Sequence, residues 1–343
     1  MNTISMHYSR ARRQTNTRFD TALLLAVSIL ISLGWVEHVW GQTDVKRVGI
    51  LTYTEIADES EWGRVFDLFH RTLADSGWLE GRNVTFEFSS ADRDPSRFGA
   101  AANALVDSNV DVIWAWSAPA LRAAHMATRA IPIVGFDYTA DPVAEGYVQS
   151  YSRPGGNITG VFLDAPEIAG KWFELLQAIV PDLSRVAVLW DPAPGATHLL
   201  AARSVANSLN LDLQVMEVHK PNDINRAFAS MGKPQAVIIL PSPMIYSESE
   251  RLASLAMAHE VPAISFPRAF AEAGGAVAYG PDDFSAVESL SVLVAKILDG
   301  ADPARLPVER PTKVRLVVNL RTAKALGITI PQSILLRADE VIR

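Results

Sequence analysis

The sequence predicts an α/β protein made of two doubly wound parallel-sheet lobes joined by a three-strand hinge, and three observations predict it. Short β-branched runs alternate with segments whose apolar residues recur at helical spacing, which implies parallel sheets with right-handed crossovers. The pattern runs once, breaks at the turn-rich stretch Arg153-Pro154-Gly155-Gly156-Asn157, and restarts. The two runs then answer each other in order: KRVGILTYT (46–54) with SRVAVLWDP (184–192), VDVIWAWSAP (110–119) with QAVIILPSP (235–243), and AIPIVGFD (130–137) with EVPAISFP (260–267).

Residues 45–51 (VKRVGIL) read as a strand that ends at polar Thr52-Tyr53-Thr54. Residues 62–76 follow as a helix with Val65, Phe66, Phe69 and Leu73 on one face. A turn over 77–83 leads to strand 84–88, an alanine-rich helix over 95–108, a buried strand over 110–116, a helix over 118–129 and a strand over 131–136. Beyond the joint come helix 166–180, strand 185–190, helix 196–209, strand 212–218, helix 223–231, strand 235–240, helix 247–259 and strand 261–266. Residues 273–280 read as a second extended crossing before helix 282–298, and residues 314–319 as a third before a short helix over 320–326 and a tail ending ADEVIR. The expected division is residues 42–158 with 280–311 in the first lobe, and 159–279 with 312–343 in the second.

With 343 residues, 49% hydrophobic and 20% charged, the chain is long and apolar enough for two cores. A formal charge of -7 and a pI near 5.5 argue against a nucleic-acid surface, which needs clustered Lys and Arg. Arg10, Arg12, Arg13 and Arg18 precede an apolar run over 21–36 that is short for a membrane span, so residues 1–41 read as a signal peptide cleaved near Gly41/Gln42. Arg12-Arg13 resembles a twin-arginine signal, but Gln14-Thr15-Asn16 lacks the hydrophobic residue expected after it, which favours the ordinary export route. The sequence has no cysteine, which excludes a disulfide framework, a thiolate metal site and a lipidated cysteine. An exported, periplasmic, soluble protein without a lipid anchor is expected, as a monomer.

In open parallel sheets ligands collect outside the carboxyl ends of the strands. Candidate ligand-binding residues therefore lie in the loops that follow them: Thr52 and Tyr53, Ser117 and Ala118, Asp137, Asp191, Ser242, and Phe266. Ser117 and Ser242 each precede a helix, where a hydroxyl and backbone N–H groups suit a small anion; helix capping accounts for both residues equally simply. Asp137 and Asp191 could hold an ammonium group, and Asp191, next to Pro192, could instead form a turn. Tyr53, Trp114, Trp116, Tyr138, Trp190, Phe266 and Tyr279 stand near strand ends and offer stacking or cation-π surfaces, with core packing as the alternative and the preferred reading of Trp114. His125, His198 and His259 fall on predicted helices and read as surface or packing residues.

Enzyme signatures are scarce. The chain has no GxSxG elbow, no GxxxxGK[ST] loop, no GxGxxG after a strand and no HExxH pair, so no catalytic residue, metal site or cofactor is assigned.

Several segments together resemble one family: LADSGWLEGRNV (73–84), DPVAEGYV (141–148), RPGGNITGV (153–161), FAEAGGAVAYGPD (270–282), LPVERPTK (306–313), NLRTAKALGITIP (319–331) and RADEVI (337–342). Over nearly the whole chain beyond the leader the sequence is similar to ABC-transporter substrate-binding proteins with the type I periplasmic-binding-protein fold. The resemblance implies a non-enzymatic protein that captures a small solute between two lobes and delivers it to a membrane permease. Some relatives are associated with tryptophan or tyrosine, so an amino acid is the expected solute, aromatic ones included. A periplasmic module presenting the solute to a receptor is the alternative. Relatives often carry Gly-Thr-Pro where this chain has Ser117-Ala118-Pro119, and a small or amide residue at Trp190 or Asp191, so specificity is expected to depart from theirs.

Overall fold

The computed structural model describes residues 45–55, 61–163, 166–311 and 313–343. The predicted signal peptide lies outside them. The first sheet has the order β2-β1-β3-β4-β5, all parallel, from β1 (Lys46–Thr52), β2 (Val84–Ser90), β3 (Val112–Trp116), β4 (Ile133–Asp137) and β5 (Ile158–Phe162). Its helices are α1 (Glu61–Asp75), α2 (Phe98–Asp107, preceded by a 3-10 turn over Pro95–Arg97) and α3 (Ala118–Ala127). β3 and β4 are buried along their whole length, as strands covered on both faces must be. Trp114 is core: it stacks on Phe69 of α1 with ring centroids 4.1 Å apart.

The second half repeats this plan with α4 (Pro166–Ile179), β6 (Arg185–Trp190), α5 (Thr197–Ser208), β7 (Asp212–Glu217), α6 (Pro221–Ser230), β8 (Ala236–Ile239), α7 (Pro243–Ser247), α8 (Ser249–Ala258), β9 (Ala263–Ser265), α9 (Arg268–Glu272) and β10 (Val277–Pro281). The helix expected over 247–259 is α8, and a short helix not expected from sequence, α7, precedes it across Glu248. α10 (Asp283–Leu298) returns to pack on α1 and against β3, β4 and β5 of the first sheet. β11 (Val314–Asn319), α11 (Leu320–Ala325), α12 (Gln332–Leu335) and β12 (Glu340–Ile342) complete the second sheet, whose order is β12-β11-β10-β9-β8-β6-β7. Among the described residues only β10–β11 is antiparallel, and the tail, unassigned from sequence, supplies an edge strand.

The chain passes between the sheets after β5, after β10 and before β11. The last of these runs beside β5, where the Glu309 N–H donates to the Gly160 carbonyl at 2.9 Å and the Phe162 N–H to the Glu309 carbonyl at 3.0 Å. β5 was expected at the start of the second lobe. It pairs with β4 from Ile133↔Ile158 to Asp137↔Phe162, so the first sheet runs on to Phe162 instead of ending at residue 158. Among the described residues no helix is long and apolar enough to cross a membrane, and no group of three His, Cys, Asp or Glu could hold a metal ion.

Candidate functional site

The segments that follow β1, β3, β4, β6, β8 and β9 surround one cleft. Seven of the eight residues singled out from sequence line it. Thr52, Tyr53, Ser117, Ala118 and Asp137 come from the first sheet's loops, and Ser242 and Phe266 from the second's. Asp191 is not among the lining residues. It is buried at the end of β6, where Oδ1 accepts the Ala193 N–H at 3.0 Å and closes the turn before α5. Burial raises its pKa, against hydrogen bonds from Ala193 and Ser242.

The wall of the cleft is aromatic. Trp116 stacks on Phe136 at 4.0 Å, Phe136 meets Tyr138 at 4.1 Å, and Tyr138 reaches across to Phe266 of the other lobe at 5.4 Å. Phe136 and Tyr138 flank Asp137 on the last turn of the strand pattern. Tyr246, six residues beyond Leu240 on α7, had no local signal to mark it as a lining residue. Of the other aromatics, Trp190 turns back to donate to the Gly195 carbonyl at 3.1 Å, and Tyr279 is outside the cleft with its carbonyl accepting the Trp172 indole N–H at 2.9 Å.

Among the described residues Asp137 is the one acidic residue lining the cleft, and it is 1% exposed. Both hydrogen bonds it accepts, from the Thr139 N–H and hydroxyl, fall on Oδ1 at 2.6 Å. Burial pushes its pKa up to about 6, against the Thr139 bonds and the nearby Arg122 charge. Tyr53, whose hydroxyl donates to the Arg93 carbonyl at 2.7 Å, is pushed up to about 12 by burial and then by Asp191.

Ser117 caps α3, accepting the Ala120 N–H on Oγ at 3.3 Å, as capping predicts. Its backbone is strained: φ is 141° and ψ 160°, a region that essentially only glycine enters without a cost of order 1–3 kcal/mol. Ser117→Gly should relieve that strain, and glycine caps only a few tenths of a kcal/mol worse than serine. After the larger entropy glycine loses on folding, a net gain of about 1 kcal/mol in urea unfolding is expected, accompanied by loss of the hydroxyl from the cleft. A variant less stable than the parent would count against the strain.

Among the described residues, side chains of Arg122, Arg93 and His198 make polar contacts between the lobes. Arg122 of α3 donates to the carbonyls of Ala193 and Pro194 at 3.4 and 3.3 Å. Arg93 pairs with Glu248 at 3.3 Å. His198 of α5 lies 2.8 Å through Nε2 from the Tyr138 carbonyl, which can only accept, so Nε2 carries the proton. Burial lowers the His198 pKa to about 4, so the ring stays neutral at pH 7. These partners are 60 to 155 residues apart in the chain, beyond the reach of any sequence spacing argument.

Comparison with known proteins adds kinship to this geometry. The family described as ABC transporter substrate binding protein matches residues 64–342. A tyrosine-binding protein of Clostridioides difficile is 24% identical over 288 residues, 83% of each chain. Among solved structures, a conserved domain protein from Vibrio cholerae superposes with a TM-score of 0.77 at 26% identity, covering 87% of this chain and 99% of that one. An ABC domain from Streptococcus pneumoniae in complex with L-Trp gives 0.76 at 24% identity over the same shares. The ligand-free, open structure of a Clostridium difficile substrate binding protein gives 0.60 at 23% identity, again over 87% and 99%. A family match over most of its length, on a fold of two sheets facing one cleft, makes this chain a member of the ABC transporter substrate-binding proteins.

Proposed function

We propose that this chain is the exported, solute-capturing component of an ABC uptake system, which closes its lobes on a small amine-bearing metabolite and presents it to a membrane permease. The observation that carries the reading is the cleft itself: strand-end loops of both sheets converge on an aromatic space with one buried carboxylate. Amino acids with aromatic side chains are the first solutes to test, because relatives of comparable length are named for tyrosine or hold L-Trp. A solute touching both walls would favour the closed arrangement through its tighter binding there, a shift of population between open and closed forms. Export is supported by the Arg-rich leader with its apolar run over 21–36.

Native mass spectrometry of the protein purified from its own cells, followed by thermal shifts with amino acids, tests this reading. One co-purified small molecule that raises the melting temperature with concentration is the expected result. Ala118→Trp provides the control. Position 118 opens α3 in ordinary helical geometry, whereas the backbone of Ser117 would strain any large side chain. An indole at 118 should occupy the cleft and weaken binding at least about 100-fold, more than 2.7 kcal/mol, with circular dichroism unchanged. Retained affinity in that variant would move the solute site elsewhere.

A further inference from the structure

The cleft is unbalanced in charge. Among the described residues six rings line it, from Tyr53, Trp116, Phe136, Tyr138, Tyr246 and Phe266, together with the Asp137 carboxylate and no Lys, Arg or His. Aromatic faces attract cations, and Asp137 adds a full negative charge with Oδ2 left for an incoming donor.

An anion finds far less. The Thr52 hydroxyl donates to the Thr54 carbonyl at 2.8 Å, Tyr53 to the Arg93 carbonyl at 2.7 Å, Thr139 to Asp137 at 2.6 Å and Tyr246 to Asp283 at 3.4 Å. The two helix starts are depleted of donors. Pro119 and Pro243 have no N–H, those of Ala120 and Leu121 are taken by Ser117, and those of Ile245 and Tyr246 by Ser242. Arg122, the base in charge contact with Asp137, lies outside the lining and donates to the Ala193 and Pro194 carbonyls. The Tyr138 hydroxyl is buried without a partner, but it sits in the field of Asp283 and Asp282, which repels an anion.

We propose that the cleft selects an organic cation, an aryl-alkyl amine bearing an ammonium group and no carboxylate, with the ammonium on Asp137 and the ring among the aromatic side chains. This rests on the reading of the cleft as the solute site and narrows the solute class within it. A zwitterionic amino acid would bring its carboxylate into the same space, where the hydroxyls of Thr54 and Ser117 and the N–H groups of Ala118 and Met244 are the main donors left. Desolvating that charge is poorly offset.

Titration calorimetry at pH 7.5 on the purified protein, freed of bound solute, decides the matter with three probes that share one ring and differ in charge: tryptamine, L-tryptophan and indole-3-propionate. Tryptamine should bind at least about tenfold tighter than L-tryptophan, 1.4 kcal/mol, and indole-3-propionate should give no saturable heat. The tyramine and L-tyrosine pair should show the same order. L-Tryptophan equal to or tighter than tryptamine, or measurable binding of the propionate, overturns the charge selection and leaves the solute-binding reading intact. No binding by any aromatic probe, while an unrelated solute found by mass spectrometry binds and is blocked by Ala118→Trp, overturns both the selection and the aromatic reading.

Discussion

Asp137→Asn is expected to weaken binding of an amine-bearing solute at least about 100-fold and, at pH 7, to make the unliganded protein more stable. The two effects share one cause. A carboxylate that is 1% exposed, with its pKa held near 6, is ionised at neutral pH against a cost of burial that Thr139 and Arg122 offset in part, and an arriving cation offsets more of it. Truncating one partner of a buried, hydrogen-bonded charge pair typically costs about 2–5 kcal/mol of binding. The stability change has a defined pH window. Because the folded pKa is raised above its ordinary value of 3.8, the unfolded chain ionises first, and the wild type loses stability as pH rises from about 4 to about 6. The amide does not titrate, so the two proteins should melt alike near pH 4, and the variant should lead by up to about 3 kcal/mol at pH 7. Arg122 reduces this difference and Glu145 increases it, since both act on Asp137 by charge. Chemical melts at both pH values, with calorimetry at pH 7, check the pair of outcomes. Unchanged binding with raised stability would leave Asp137 without a role in solute capture.

Gly160→Ala should destabilise the fold by more than about 4 kcal/mol, while Gly156→Ala, four residues earlier in the same RPGGNITG stretch, should change stability by less than about 0.5 kcal/mol. Gly160 lies in β5 opposite Gly135 of β4, with φ at +150°. A Cβ there would stand 1.9 Å from the Gly135 carbonyl oxygen, and backbone cannot rotate out of the way as a side chain could. Since β5 also carries the hydrogen bonds to Glu309 in the third crossing, the same substitution should disturb the hinge. At Gly156 a Cβ meets nothing within 4 Å. Urea unfolding of the two variants separates a glycine required by close strand approach from one that serves only a turn. Equal losses would mean that the stretch matters for turn entropy alone.

The order of the elements, the parallel pairing of their strands and the loops that end them follow from local patterns, because apolar periodicity and turn residues act over a few neighbours. That was enough to bring Thr52, Tyr53, Ser117, Ala118, Asp137, Ser242 and Phe266 together as residues that share one cleft. It could not separate Asp137 from Asp191. Both end a strand before a turn, but Asp191 closes its own turn while Asp137 lines the cleft. Nor could it assign β5 to the first sheet, since an extended segment pairs with whichever edge the rest of the fold leaves open. Tyr246 in the wall, Arg122 and His198 bridging the lobes, and the strained backbone of Ser117 were settled only by the tertiary structure. Sequence spacing records what each segment can bury; which side chains meet across the cleft depends on how two separately folded sheets are set against each other by three crossings.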